Sequence, residues 1–234
     1  MHPLVSVIIP CFNRQQFVRD AVLSVLAQGV SLEVIVVDDG SIDQSVDTLS
    51  DLPVCILRND RNLGIGYSRN RGVVNARGKY VAFLDSDDLM SPGALRSHLD
   101  FLETHPQYSV SGGIIESLID KDAKVIRENF DRNPYLISLE EIALRPKCTG
   151  VWLFVFRLGY FHQLGLFQES LVTCDVDLVL RALAINDIPN LGVPTIRSRQ
   201  HDGNISYQME VNGRQISRKV LAESYLMNSA YGIQ

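Results

Sequence analysis

Short apolar segments alternate with amphipathic ones through the first half of the chain, and this alternation restricts the fold more than any other feature. The apolar segments have the length of buried strands, and the predicted strands are residues 4–10, 32–37, 54–59 and 79–84. The segments that follow them have helical polarity, and the predicted helices are residues 15–28, 41–49, 66–76 and 91–105. This order predicts an α/β fold with a mostly parallel central sheet whose two faces are covered by helices.

The second half of the chain is less regular. It predicts strands over residues 108–119 and 193–201, a helix over 175–186, and a polar, loop-like segment over 120–137. Residues 150–157 are apolar and aromatic, and a strand and a buried turn remain alternatives for them. For the helix at 91–105, Ser91 is the expected N-cap, with Pro92 in the first turn.

Composition and charge exclude several classes of protein. The net charge is −5 and no basic stripe interleaved with aromatic residues is present, so nucleic acid is not an expected partner. The four cysteines are scattered without a CxxC pair, which argues against a zinc site or a disulfide framework and favours a reducing, cytoplasmic compartment. No run approaches the roughly 20 apolar residues of a membrane span, and the first residues lack the basic region of a signal peptide.

Three polar turns follow three of the predicted strands. They are residues 10–13 (PCFN), 38–41 (DDGS) and 85–88 (DSDD). Ligands of an open parallel α/β sheet bind outside the carboxyl ends of the strands, so these turns are expected on one rim of the sheet. A single acidic turn would be an unremarkable cap, but two acidic turns and an aromatic–Asn turn on one rim indicate a shared ligand site.

Asp85 and Asp87 lie two residues apart, and in an extended chain both side chains would point the same way. Carboxylates this close resist joint ionisation unless water or a cation offsets their repulsion. Mg²⁺ or Mn²⁺ typically takes one or two protein carboxylates and completes its coordination with water and substrate phosphates, so the turn predicts a metal-bridged diphosphate. The alternative is a hydrogen-bonded Asx turn that caps the next helix.

Four segments, in this combination and order, resemble the family 2 glycosyltransferases of GT-A fold: VSVIIPCFNRQQFVRDAVLSVLAQ, EVIVVDDGSID, NLGIGYSRNRGVVNARGKYVAFLDSDD and CDVDLVLRAL. The resemblance covers residues 4–206 and implies one GT-A domain over 1–206, followed by a helical tail at 207–234. Within that domain, residues 1–107 would bind the nucleotide, and residues 108–206 would hold the acceptor and the catalytic base. The implied activity is metal-dependent transfer of a hexosyl or N-acetylhexosaminyl group from a nucleotide-diphospho-sugar, usually a UDP-sugar, with inversion at the anomeric carbon.

The resemblance also implies roles for individual residues in nucleotide binding. Pro10 and Phe12 match the turn that holds the base, where the Phe12 ring would stack on it. Asp39 matches the residue that accepts a hydrogen bond from the uracil ring N–H. Asp85 and Ser86 fall where the family contacts the ribose.

Further positions concern the phosphates and the metal. Arg69 matches an arginine that approaches the base and the phosphates, and a planar guanidinium suits a diphosphate. Asp87 falls where the family ligates its metal, here Mn²⁺ or Mg²⁺, and His201, in RSRQHDGNIS, falls where it touches the metal or the diphosphate. Asp38 is expected to brace the end of its strand, and Asp88 to act as a cap.

The family pattern in the second half is Glu-Asp-x-Asp at the start of a helix, and this chain has Cys-Asp-x-Asp there. Asp175 takes the position of the catalytic base, which deprotonates the acceptor hydroxyl, and a helix N-terminus would keep it ionised. Asp177 is expected to be structural. Cys174 replaces the usual Glu, and an altered acceptor, reduced activity or no effect are the alternatives for this departure.

Three other functions compete with this interpretation. A nicotinamide-dependent Rossmann enzyme is disfavoured, because GIGYSR lacks the third glycine and does not follow the first strand. A sugar nucleotidyltransferase would want a Gly-rich, basic loop after the first strand, and PCFNRQQ has no glycine. A non-catalytic nucleotide-sugar-binding protein is the third alternative, with Cys174 as the mark of lost catalysis.

The acceptor and the location are implied only in outline. The resemblance points to a saccharide or lipid-linked acceptor and to surface polysaccharide or glycolipid synthesis in the cytoplasm, with peripheral contact at the inner membrane face as an alternative. The tail from residue 211 has helical spacing, and its basic residues predict a solvated face, again with a membrane surface as the alternative. No pattern in the chain indicates the sugar or the oligomeric state.

Overall fold

The computed structural model describes residues 2–129, 132–139, 150–171 and 173–201, and over them it has the predicted α/β fold. The strands are β1 (Val5–Cys11), β2 (Leu32–Asp38), β3 (Cys55–Arg58), β4 (Tyr80–Phe83), β5 (Leu89–Met90), β6 (Val110–Ile119), β7 (Val125–Glu128), β8 (Tyr135–Ile137), β9 (Phe154–Arg157) and β10 (Ile188–Arg199). The helices are α1 (Val18–Leu26), α2 (Ile65–Asn75), α3 (Ala94–Thr104), α4 (Leu158–Leu164) and α5 (Cys174–Leu183).

A single mixed sheet connects the two halves of the described chain. Its strand order is β3-β2-β1-β4-β9-β6-β10-β5, with β7 paired to β6 and β8 paired to β10. The four strands β3, β2, β1 and β4 are mutually parallel, and β9 is antiparallel to both of its neighbours, β4 and β6. The first half of the chain therefore supplies a parallel block whose strands all end at the same rim.

The parallel block forms because its strands are apolar on both faces. All seven residues of β1 are buried, as are the last five of β2 and all four of β4. α1 covers this block with a stripe at helical spacing, in which Val18, Ala21, Val22 and Val25 are fully buried. Burial on both faces explains why these strands have continuous apolar runs instead of an alternating pattern.

Two helix predictions in the first half are wrong in part. The segment 41–49 forms only a 3₁₀ helix at Asp47–Leu49, because Asp43 accepts hydrogen bonds from the backbone N–H and the hydroxyl of Ser45 and competes with helical bonding. Ser91 does not cap α3, which begins three residues later, after Gly93 in the left-handed region. The Ser91 hydroxyl instead donates to Glu116 in β6, at 2.8 Å.

The second half contains more strand than the pattern predicts. The segment 120–137 holds β7 and β8, which the sequence analysis did not predict. β7 is exposed at all four residues, and β8 is only three residues long, with Ile137 buried. Residues 150–157 combine both alternatives, a 3₁₀ turn at Val151–Leu153 and then β9. The predicted helical tail at 207–234 lies outside the described residues. Within the described part of the chain, no helix has the length and apolar character to cross a membrane.

Candidate active site

The three polar turns lie side by side on one rim of the sheet, as predicted. In the parallel pairings, Cys11 of β1 lies opposite Asp38 of β2, and Ile8 of β1 lies opposite Phe83 of β4. The turns that follow these strands are therefore neighbours. This rim is the candidate site, and the start of α5 lies next to it through contacts described below.

The two aspartates of the second turn serve different partners. Asp38 is fully buried and accepts hydrogen bonds from the Ser41 N–H and from Arg58, which confirms that it braces the strand end. Asp39 is 4 % exposed, and its carboxylate accepts hydrogen bonds from the Asn59 amide and from the backbone N–H groups of residues 63 and 64. Its role towards a nucleotide base stays a prediction, and it also fixes the loop that leads into α2.

Phe12 and Pro10 differ in exposure. Pro10 is buried within β1, where it pairs with Val37. The Phe12 ring is 39 % exposed at the rim, so it is not a core aromatic and has an open face. Base stacking on Phe12 remains a prediction, and this exposure is what such a contact requires.

Arg69 is buried in the site instead of open to solvent. It is 1 % exposed, and one guanidinium nitrogen lies 3.0 Å from an Asp85 carboxylate oxygen. Its guanidinium also lies 5.5 Å from the centre of the Phe167 ring, and its Nε has no hydrogen-bond partner. Burial opposes the charge of Arg69, but Asp85 and Asp175 more than offset this and raise its pKa.

Burial and neighbouring charges shift the pKa of Asp85 in both directions. Burial raises the pKa of the Asp85 carboxyl, Arg69 lowers it, and the negative charges of Asp87 and Asp175 raise it again. Burial likewise raises the pKa of Asp88 well above its ordinary value, with Asp87 and Asp85 adding to the shift. The rim therefore concentrates negative charge in a poorly hydrated place, which favours a cationic partner.

The start of α5 places the predicted base beside this cluster. Cys174 is fully buried, and its sulfur lies 3.9 Å from a guanidinium nitrogen of Arg69. Asp175 follows it in the first turn of α5, is half-buried, and is close enough for its charge to act on Arg69 and Asp85. Asp177 is structural as expected, because it pairs with Arg181, whose guanidinium also donates to the carbonyls of residues 164–166.

The loop that precedes α5 is fixed to α2. The Asn70 side chain donates to the Phe167 carbonyl oxygen and accepts from the Phe167 N–H, at 2.9 and 2.8 Å. Gly66 packs so closely that an added Cβ would lie 3.1 Å from the Cα of Glu169. α2 thus carries Arg69 and holds the segment that leads to Asp175. Burial raises the pKa of the Cys174 thiol, so a neutral group lies where the sequence resemblance implies a glutamate.

Asp87 and His201 are brought together from distant parts of the chain. The Nε2 atom of His201 lies 3.1 Å from an Asp87 carboxylate oxygen, and the same oxygen lies 3.4 Å from Nε of Arg14. The His201 ring also packs against Phe17, with ring centres 4.7 Å apart. The segment 85–88 is a turn closed by a hydrogen bond from the Asp88 N–H to the Asp85 carbonyl, so the predicted extended geometry of Asp85 and Asp87 is wrong.

The Asp87–His201 spacing is compatible with a divalent cation. Adjacent ligands of an octahedral shell with bonds of about 2.1 Å lie about 3 Å apart, close to the 3.1 Å between these two atoms. In the described part of the chain, no group of three or more His, Cys, Asp or Glu side chains is arranged as a metal site. A cation here would therefore depend on two protein ligands and on ligand phosphates, which is usual for Mg²⁺ or Mn²⁺.

Ser86 and Asp88 complete the acidic turn. Ser86 is 6 % exposed, and its contact with a ribose stays a prediction. Asp88 does not cap α3; its carboxylate accepts a hydrogen bond from the Arg199 N–H in β10, at 2.7 Å. Arg199 in turn donates to the Asp87 carbonyl and packs over the Phe17 ring. This buried arginine, which the sequence analysis did not single out, connects the acidic turn to the end of β10, two residues before His201.

The chain matches the family model "Glycosyl transferase family 2" over residues 6–165. An uncharacterized glycosyltransferase of Rickettsia bellii is 31 % identical over 210 residues, which cover 86 % of this chain and 30 % of that protein. One of Rickettsia typhi is also 31 % identical, over 86 % of this chain and 65 % of its own length. The chain spans about a third of the length of the Rickettsia bellii protein and of similar proteins of Rickettsia felis and Rickettsia conorii.

Solved structures match the fold. The crystal structure of S. aureus TarS 1-349 in complex with UDP-GlcNAc superposes with a TM-score of 0.70 at 21 % identity, over 86 % of this chain and 59 % of that one. The same protein in complex with UDP gives a TM-score of 0.69 at the same identity. The shared fold, the family-model match over most of the chain and these relatives agree, and the chain belongs to glycosyltransferase family 2, with a GT-A fold.

Proposed function

We propose that the protein is a metal-dependent, inverting glycosyltransferase that moves a sugar from a UDP-sugar to an acceptor hydroxyl. The observation that carries this proposal is the position of Arg69, which contacts Asp85 on the rim and the Cys174 sulfur at the start of the helix that bears Asp175. A donor on the rim would thus lie next to a carboxylate that can act as a base. The UDP and UDP-GlcNAc complexes of TarS support this class of donor.

In the proposed binding mode, the rim residues hold the donor by its nucleotide. The exposed face of Phe12 stacks on the base beside Pro10, and Asp39 accepts from the uracil N–H while it keeps its bonds to the loop at 63–64. Asp85 and Ser86 contact the ribose, and Arg69 orients Asp85 instead of reaching solvent.

The proposed reaction is a single displacement. Asp175 takes the proton of the acceptor hydroxyl as that oxygen forms a bond to the anomeric carbon, and the bond from this carbon to the diphosphate breaks on the opposite side. An α-linked donor gives a β-linked product through an oxocarbenium-like transition state. Asp175 lies in the first turn of α5, at the positive end of the helix, and its charge acts on the nearby guanidinium of Arg69.

Asp87 and His201 would hold Mn²⁺ or Mg²⁺, which would supply positive charge to the departing diphosphate. The acceptor, a saccharide or a lipid-linked saccharide, would bind on the side of Asp175 away from the rim. A role in surface polysaccharide or glycolipid synthesis belongs to the same proposal, as does a place at the cytoplasmic face of the membrane.

Asp175→Asn is the test of the proposed base. The amide cannot accept the proton, so transfer should fall by at least about 100-fold. UDP affinity should stay within about twofold, because the proposed binding mode assigns no nucleotide contact to Asp175. Transfer is measured by release of UDP in the presence of an acceptor panel, and binding by calorimetry with Mn²⁺. The exposed helical variant Asp100→Asn is the matched control and should keep both values. Transfer at a near wild-type rate in Asp175→Asn would refute the assignment.

A non-catalytic nucleotide-sugar-binding protein is the second candidate, and one observation favours it. The thiol of Cys174 is buried against Arg69 where the family pattern has a carboxylate, so one charged group of the catalytic half is missing. A screen of nucleotide sugars by thermal shift, with and without Mn²⁺, identifies a ligand under either function, because ligands that bind only the folded state raise the melting temperature. Binding without transfer or hydrolysis for any acceptor would favour this second function.

A further inference from the structure

The acidic turn at 85–88 gives each of its three carboxylates a separate partner. Asp85 pairs with the buried Arg69, and Asp88 accepts the N–H of Arg199. Asp87 pairs with Arg14, whose Nε lies 3.4 Å from the carboxylate oxygen that also contacts His201. The oxygen that would ligate a metal is therefore already in contact with a protein cation.

Arg14 is held at this position by its backbone. Five hydrogen bonds from backbone N–H groups to side chains join the turn after β1 to the loop after β2. In the first direction, the N–H groups of residues 13, 14 and 15 donate to the side chains of Ser41, Ser45 and Asp43. In the other, the N–H groups of residues 42 and 44 donate to the side chains of Asn13 and Gln15. Asn13 adopts φ +52°, a conformation that asparagine tolerates. The start of the Arg14 side chain is thus fixed, and its guanidinium donates a hydrogen bond to the Asn13 carbonyl oxygen, at 3.3 Å.

The surroundings of Arg14 allow its guanidinium to change partners. An open cleft next to Asp87 is lined by residues 13–17, Asp43 and His201, so the guanidinium lies at the edge of a space that a ligand can enter. The side chains of Arg14 and Asp87 are 24 % and 14 % exposed. A pair exposed to this degree can be broken without leaving a fully buried charge.

We propose that Arg14 is a resident counter-ion that exchanges partners when the donor binds: it pairs with Asp87 in the free protein and moves to the diphosphate once a divalent cation takes that carboxylate. This inference rests on the proposed function for the identity of the diphosphate. Arg14 neutralises Asp87 before binding, and the exchange lets the same guanidinium neutralise phosphate afterwards, since a guanidinium fork matches phosphate as well as carboxylate.

The exchange predicts opposite effects on two affinities in Arg14→Gln. Without nucleotide, Mn²⁺ should bind about fivefold more tightly, because in the variant the cation no longer has to displace Arg14 from Asp87. A partly exposed ion pair of this kind contributes about that factor to the affinity. With saturating Mn²⁺, UDP should bind at least about tenfold more weakly, because a charge-assisted hydrogen bond to phosphate is lost. The loop should stay intact, since its bond to Ser45 comes from the backbone N–H of residue 14.

The experiment measures two affinities for the wild type, Arg14→Gln and Arg19→Gln. The affinity for Mn²⁺ alone is obtained by titration, with free Mn²⁺ quantified from its electron spin resonance signal. The affinity for UDP in the presence of Mn²⁺ is obtained by calorimetry. Arg19 is the matched control, because it lies in α1, six residues beyond the end of the turn at 10–13, and pairs with the exposed Asp51 at 2.6 Å. Both affinities should stay at wild-type values. Affinities that both weaken in Arg14→Gln indicate a merely structural role and overturn the exchange. Unchanged Mn²⁺ affinity, or no Mn²⁺ binding by either protein, also overturns it. Failure of the wild type to bind UDP contradicts instead the proposed function.

Discussion

His98 gives the sharpest prediction about stability. It lies on α3, is fully buried, and its two ring nitrogens contact the hydroxyls of Ser111 in β6 and Thr195 in β10, at 2.9 and 3.0 Å. Burial lowers its pKa from 6.5 to about 4. The folded protein therefore holds a neutral imidazole at a pH where the unfolded chain would already be protonated.

The sign and size of the pH effect follow from these two values. The unfolded chain takes up the proton as the pH falls through 6.5, whereas the folded protein does not until about pH 4, so the stability that the neutral ring provides is lost over this window. Between pH 7.5 and 5.0 the loss from His98 is about 2 kcal/mol. Asp85 and Asp88, whose folded pKa values are raised, act in the opposite direction and reduce the net fall in the wild type.

The assay is urea unfolding of the wild type and His98→Gln at several pH values from 7.5 to 5.0. Glutamine can keep hydrogen bonds to the two hydroxyls but cannot take up a proton, so the free energy of unfolding should fall by about 2 kcal/mol less in the variant over this range. Leu99→Val, a change at the next buried position of the same helix, is the control for destabilisation alone and should keep the wild-type pH dependence. Equal pH dependence in the wild type and His98→Gln would refute the reasoning.

Two further predictions concern the second rim turn. The two carboxylate oxygens of Asp39 accept the N–H groups of residues 63 and 64, and Asp39→Asn replaces one of these oxygens with a donor. We expect the free energy of unfolding to fall by about 1–3 kcal/mol, measured by urea unfolding, and UDP binding to be lost, measured by calorimetry. Unchanged stability would contradict the structural role. Gly40→Ala should cost ~2 kcal/mol or more, because Gly40 has φ +77° and an added Cβ would lie 2.6 Å from the backbone of Arg61. Gly29→Ala is the control, because Gly29 has φ +64° but no atom within 4 Å of an added Cβ, so the substitution introduces backbone strain without a steric clash. It should lower the free energy of unfolding by less than Gly40→Ala in the same assay.

The parallel block and its rim could be predicted because their signals are local. β1, β2 and β4 are continuous apolar runs, and buried strands of a parallel sheet need that composition on both faces. The order of the motifs then placed 10–13, 38–41 and 85–88 at strand ends that are in fact adjacent. The family assignment followed from the same motifs, because they are the ones that form the rim.

The features that could not be predicted depend on contacts between residues that are far apart in the sequence. Helical bonding over 41–45 fails because its side chains bond the turn at 13–15, and no pattern within the segment records that. The pairing of Arg14 with Asp87 joins residues from two turns, and Arg199 reaches the acidic turn from β10. β7 and β8 escaped prediction because strands of four and three residues are too short to establish a periodicity, and β7 is exposed at all of its residues.

The antiparallel strand β9 has a mechanical consequence. It is hydrogen-bonded to β4 on one side and to β6 on the other, so the described halves of the chain share one uninterrupted sheet with no hinge between them. Rotation of one half against the other would require the ladders on both sides of β9 to break. Among the described residues, closure around a bound molecule would therefore come from rearranged surface turns and side chains, while the spacing between the rim and the strands of the second half stays constant.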